Sequence, residues 1–150
     1  MDTRIQENQQ LDNNHVPFRV LLMERSEESR AAYVHIFEEL GADEIDVSKS
    51  FASTFQKLAV EKAPYDLIVL DEAFWVDKRI GLRLCRAVRN NENYEHTALI
   101  MISDDCNSAL IEDAFRSGID EFLPKYTSLK EFKQLSRSAV EERRNATLAL

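Results

Sequence analysis

Asp66-Leu67-Ile68-Val69-Leu70-Asp71 is the stretch whose reading decides the fold. Four apolar residues, most of them branched, stand between two carboxylates. The run is too short for a useful helix and reads as a strand buried on both faces. Such a strand belongs to a parallel sheet with helices above and below it. It stops at Asp71 because an unpaired carboxylate is costly to bury. In open parallel α/β sheets the working residues lie just past the carboxyl ends of the strands, so Asp71 stands where chemistry is usually done.

The same alternation extends in both directions. Val16 to Met23 is a first strand, ending at Glu24-Arg25. Ser26 is placed to cap a helix carrying Tyr33, Val34, Phe37 and Leu40 at helical spacing, with Gly41 as its stop. Glu44 to Val47 is weakly apolar, as an edge strand should be. Ser50 can cap a second helix with Phe51, Phe55, Leu58 and Ala59 inward. Beyond Asp71, the loop Glu72 to Arg79 holds Phe74 and Trp75, and Ile80 to Val88 forms a third helix. Trp75 is placed to lid the site, to plug a partner's groove, or to rest partly buried on the domain surface. Ala98 to Ile102 is a fourth strand, closed by Ser103. Asn107 to Ser117 is a helix with Leu110, Ile111, Ala114 and Phe115 inward. Ile119 to Leu123 is the fifth strand, ending at Pro124-Lys125. Ser128 to Glu131 reads as a capping box that opens a helix burying Leu129, Phe132, Leu135 and Val140 and running on toward Arg144. Strand–helix alternation five times over predicts an α/β domain with right-handed crossovers. The expected boundaries are a disordered leader at 1–15, one domain at 16–144 and a tail or linker at 145–150.

Composition narrows the function. The chain has 150 residues, 44% hydrophobic, with a net charge of −8. That suits one globular domain and disfavours nucleic acid or an anionic membrane as partner. The polar N-terminus lacks the apolar core of a signal peptide, no run spans a bilayer, and the cytoplasm is the expected location. Cys85 and Cys106 form no metal-ligand spacing with each other or with His15, His35 or His96. Cys85 reads as core packing. Three glycines and no glycine-rich motif leave no phosphate-cradling loop.

Four polar positions close four different strands: Glu24-Arg25, Asp71, Ser103 and Lys125. Acid, acid, hydroxyl and lysine in that order is a sharp signal. With Val20-Leu21-Leu22-Met23-Glu24, Pro64 through Asp71, Ile100-Met101-Ile102-Ser103 and Ser117-Gly118-Ile119-Asp120-Glu121-Phe122-Leu123-Pro124-Lys125, it closely resembles the receiver domain of two-component response regulators, of the chemotaxis-regulator type. The resemblance covers Phe18 to about Val140. It implies a flavodoxin-like, doubly wound, five-stranded parallel sheet of order 2-1-3-4-5 with five helices. It implies Asp71 as phosphoacceptor from a histidine kinase or phosphotransfer protein, Ser103 and Lys125 as groups on the phosphoryl oxygens, and Phe122 as the switch aromatic. The role is that of a signalling module rather than an enzyme. A carboxylate suits reversible acyl-phosphate formation, and cations and donors suit the charge on the transferring group.

Departures from the family pattern are equally legible. Receivers carry two adjacent acids in the first loop; here Glu24 is followed by Arg25, which cannot ligate a metal. Magnesium is left with Glu24, Asp71 and the carbonyl of Ala73, so its binding is expected to be weak or lost. Arg25 could instead pair with Asp71 in place of the metal, neutralise an incoming phosphoryl group, or form only a surface salt bridge. Tyr126 replaces the usual proline after the lysine, and Asp104 adds bulk and charge beside Ser103. Two readings follow: a working phosphoacceptor with weakened metal dependence, or a degenerate pseudo-receiver that acts by protein contact alone. A flavin binder or small hydrolase on the same fold is disfavoured by the missing phosphate loop and catalytic histidine. The resemblance also implies a signalling face on the fourth helix, fifth strand and fifth helix. Asp113, Arg116, Ser117, Glu121, Lys130 and Lys133 there carry mixed charge suited to a two-fold homodimer.

Overall fold

The computed structural model describes residues 17–60, 63–71 and 78–148. The leader, Ala73, Phe74 and Trp75 lie outside these residues. Among the described residues, five strands and five helices alternate: β1 (Arg19–Met23), α1 (Glu27–Glu39), β2 (Glu44–Ser48), α2 (Phe51–Val60), β3 (Leu67–Asp71), α3 (Lys78–Arg89), β4 (Ala98–Ser103), α4 (Ser108–Arg116), β5 (Glu121–Pro124) and α5 (Leu129–Leu148). A 3-10 turn at Glu92–Tyr94 precedes β4. The strands form one parallel sheet in the order β2-β1-β3-β4-β5. This is the flavodoxin-like architecture expected, with β3 at its centre.

Side chains alternate across each strand, so the central strands feed two cores. Leu21, Met23, Ile68, Leu70, Leu99 and Met101 face α3 and α4, where Leu84, Cys85, Val88 and Ala114 meet them. Val20, Leu22, Leu67, Val69 and Ile100 face α1 and α5, where Tyr33, Phe37, Phe132 and Val140 meet them. The ring of Phe132 lies 5.1 Å from that of Tyr33 and 6.0 Å from that of Phe37, within the range of favourable aromatic pairing. Cys85 is fully buried, as core packing requires.

The caps follow the sequence. Ser26 accepts from the Ser29 N–H, Ser50 Oγ from that of Ser53, and Ser128 Oγ from that of Glu131. Gly41 and Gly118 end α1 and α4 with φ of 88° and 106°, which glycine adopts without steric cost.

Four inward assignments are corrected. Phe55 is 40%, Phe115 47% and Leu129 52% exposed, and Ala59 is exposed as well. The apolar stripes of these helices are wider than the sheet they cover. α2 is seated by Phe51 and Leu58, α4 by Ala114, and α5 by Phe132, Ala139 and Val140. α5 also continues past Arg144 to Leu148. Its last turns are tied to the amino-terminal edge of the sheet: Arg143 Nε lies 2.7 Å from Asp120 Oδ1, and an Arg144 nitrogen 3.2 Å from Asp66 Oδ1.

Candidate functional site

Because every strand is parallel, every carboxyl end lies on one edge. β3 brings Asp71 there as its last residue, in register with Ile102 of β4, and Ser103 follows in register with Pro124 of β5. Glu24 leaves β1 directly after Met23, whose partner on β3 is Leu70. Glu24, Asp71 and Ser103 are all buried, at 2%, 1% and 0% exposure. Lys125 leaves β5, its N–H donating to the Ser103 carbonyl at 3.0 Å. Its Nζ reaches back to lie 3.6 Å from Asp71 Oδ2. The four residues picked out at strand ends therefore form one site.

The charges in it constrain one another. Glu24 Oε1 accepts from the Ser26 N–H at 2.9 Å. Its other oxygen, Oε2, is buried, and no hydrogen-bond donor among the described residues reaches it. The Asp71 carboxyl is its neighbour, and two carboxylates share a hydrogen bond only when one carries a proton. Burial, first, and then that hydrogen bond raise the Glu24 pKa from 4.5 to about 7, with the Asp71 charge adding to the rise and Ser26 and Lys125 opposing it. Burial pulls the Lys125 ammonium down, but Asp71, Asp104 and Glu24 together more than offset this and raise it. Lys125 is thus a permanent cation over an acidic pocket.

An orphaned carboxylate oxygen beside a second carboxylate suits a hard divalent cation, which favours oxygen ligands. Among the described residues, no group of three His, Cys, Asp or Glu side chains gathers to complete such a site. Arg25 is exposed and makes no ion pair with Asp71, so the pairing of these two residues is not seen. Ala73, the third expected ligand, lies outside the described residues.

Ser103 has its hydroxyl turned to its own loop, where Oγ accepts from the Asp105 N–H at 2.9 Å and donates to the Asp105 carbonyl at 3.2 Å. Phe122 is half-buried on β5 and packs on the α3–α4 side of the core. Tyr33 is a neighbour that sequence reasoning placed only in the core. Its phenol is raised to about 12, mainly by burial and then by Asp71, Glu24 and Asp104. Helical spacing marked Tyr33 as inward, and nothing in the sequence tied it to the acids.

The expected signalling face is partly redistributed. Lys133 Nζ sits 3.0 Å from Glu39 Oε2 on α1, so it faces away from α4. Asp113 lines a cleft against α3. Ser117 is buried, donating to the Asp113 carbonyl at 2.8 Å. Arg116 pairs with Glu112 at 2.6 Å. Exposed Phe115 and Tyr126 were not part of the expected face.

No helix among the described residues is long and apolar enough to cross a membrane. No curated protein matches the chain in sequence, whereas solved structures do. A signal receiver domain of two-component signal transduction (histidine kinase) from Clostridium thermocellum superposes with a TM-score of 0.74 at 21% identity, over 84% of this chain and 99% of that one. A chemotaxis-regulator-like receiver domain from Methanospirillum hungatei gives 0.75 at 14%, over 87% and 99%. The receiver domain of a sensor histidine kinase from Pseudomonas aeruginosa, with a magnesium ion coordinated in its active-site cleft, gives 0.68 at 17%, over 84% and 99%. These likenesses establish the fold, and the family model of the response regulator receiver domain matches residues 20–137. By that match across most of its length, built around Asp71 and Lys125 at the carboxyl edge of the sheet, the chain belongs to the response regulator receiver domains.

Proposed function

We propose that the domain accepts a phosphoryl group on Asp71 from a phosphohistidine of a kinase or phosphotransfer protein. The observation that carries this is the Lys125 ammonium 3.6 Å from a buried Asp71 carboxylate. An Asp71 oxygen attacks phosphorus, the P–N bond breaks, and the imidazole leaves with the electron pair and takes up a proton. Lys125 exchanges its contact with Asp71 for the phosphoryl oxygens, where negative charge is concentrated. Ser103 gives up its bond to the Asp105 carbonyl to donate to a phosphoryl oxygen, and Phe122 follows inward as the switch. Glu24 and Asp71 would hold a divalent cation, which when bound neutralises charge on the phosphoryl oxygens. With Arg25 beside the pocket, that binding is weak. Homodimerisation through Arg116, Glu121 and the exposed Phe115 is the output contact proposed.

The second reading, a pseudo-receiver that works by protein contact alone, draws on Glu24. A proton shared between Glu24 and Asp71 stabilises the empty pocket without metal or phosphate. Treatment with acetyl phosphate and magnesium, followed by intact mass, separates the two. A single phosphoryl adduct, absent in Asp71→Asn, is expected. An unmodified protein favours the pseudo-receiver, and an adduct that survives Asp71→Asn refutes the assignment.

A further inference from the structure

α3 has no acidic residue and five basic ones, Lys78, Arg79, Arg83, Arg86 and Arg89, in a chain of net charge −8. Arg89 has a structural task, donating to the Gly118 and Thr97 carbonyls and to Asp120. Arg79, Arg83 and Arg86 do not share it. Spaced i, i+4, i+7, they form one stripe along a cleft of about 520 Å³ between α3 and α4. Ile80 and Leu82 line the same cleft, with Asp113 on the α4 side. Arg83 and Arg86 are exposed, and neither forms a hydrogen bond or ion pair with any described residue.

This arrangement works against α3. Like charges at i, i+4 and i, i+3 repel, and a cation in the first turn opposes the helix dipole. At Arg83 and Arg86 that cost is met by no hydrogen bond or ion pair to a described residue, the pattern of a surface kept for function. None of Glu24, Asp71, Ser103 and Lys125 lines this cleft.

We propose that the α3–α4 cleft docks an acidic helical segment of a partner protein. Guanidinium forks at helical spacing match carboxylates at the same spacing, each pair able to bond through two hydrogen bonds. Ile80 and Leu82 accept an apolar side chain between those carboxylates. Asp113 admits a basic or amide group on the far side. It also repels a uniform polyanion, as does the charge of the whole domain, so a protein segment fits better than nucleic acid or an anionic bilayer.

Fluorescence anisotropy on the full chain provides the test. The probe is a labelled helical peptide with Glu at i, i+4 and i+7 flanking a Leu. The control peptide has the same composition with its Glu residues spread round the helix. The spaced peptide should bind at least about tenfold tighter (~1.4 kcal/mol) and weaken with salt. Arg83→Glu with Arg86→Glu should lose that binding. Lys49→Glu with Arg137→Glu makes the same charge change at exposed positions elsewhere and should keep it. Circular dichroism checks the fold, and Arg83→Gln with Arg86→Gln replaces the first pair if it unfolds. The proposal is overturned by no binding at low salt, by equal binding of the two peptides, or by equal loss in both double variants. Tighter binding of duplex DNA or phosphatidylserine vesicles through Arg83 and Arg86 overturns it as well.

Discussion

Replacing Glu24 with Gln should stabilise the metal-free domain at neutral and alkaline pH. Glu24 sits at 2% exposure against Asp71, and its pKa rises from 4.5 to about 7. An acid whose folded pKa is raised holds its proton more tightly in the native than in the unfolded chain. Its contribution is therefore most favourable below pH 4.5, declines between 4.5 and about 7, and stays at its lowest above that. At 1.36 kcal/mol per unit, a rise of this size sets a ceiling of ~3 kcal/mol. Water reaching the pocket mouth past Lys125 screens part of this, leaving ~1–2 kcal/mol. Gln keeps an oxygen for the Ser26 N–H, and its amide donates to Asp71 at every pH, imitating the protonated acid. In urea with chelator, Glu24→Gln should unfold at a midpoint roughly 0.5–1 M higher than the parent at pH 8 and at the same midpoint at pH 4.5. Magnesium should raise the midpoint of the parent and leave that of the variant in place. Parallel pH curves for the two proteins, or a variant less stable at pH 8, would refute the shared-proton account.

Arg25→Asp should tighten magnesium binding by more than about tenfold, because a third carboxylate replaces a like charge; calorimetric titration reads it. Lys125→Ala should slow acetyl-phosphate labelling of Asp71 by roughly 100-fold, the scale for loss of one preorganised charge on a transferring group, measured by intact mass against time. A Cβ at Gly118 would overlap Arg89 Cγ at a φ of 106°, whereas one at Gly41 meets nothing. Gly118→Ala should therefore cost roughly 2–4 kcal/mol and Gly41→Ala about 1, compared by thermal melts. Sedimentation before and after acetyl-phosphate treatment should show a dimer that Phe115→Glu abolishes; a monomer at high concentration in both states rules it out.

The strands were legible because each is a short apolar run bounded by a polar residue, and the central strand needs that pattern to be covered on both faces. The same logic put Glu24, Asp71, Ser103 and Lys125 at carboxyl ends, and parallel pairing then gathers them on one edge without further information. Charge and period could also locate α3 and its arginine stripe. Tertiary structure decided what depends on neighbours distant in the chain. A helical period marks Phe55, Phe115 and Leu129 as apolar, but the width of the sheet determines which part of each stripe is covered. Lys133 turns to Glu39 and Asp113 to the α3 cleft because helix rotation, set by packing of Phe132 and Ala114, aims the charges beside them. The proton affinity of Glu24 likewise belongs to no local motif. It arises where burial and the Asp71 carboxyl meet, and only the folded chain brings those two together.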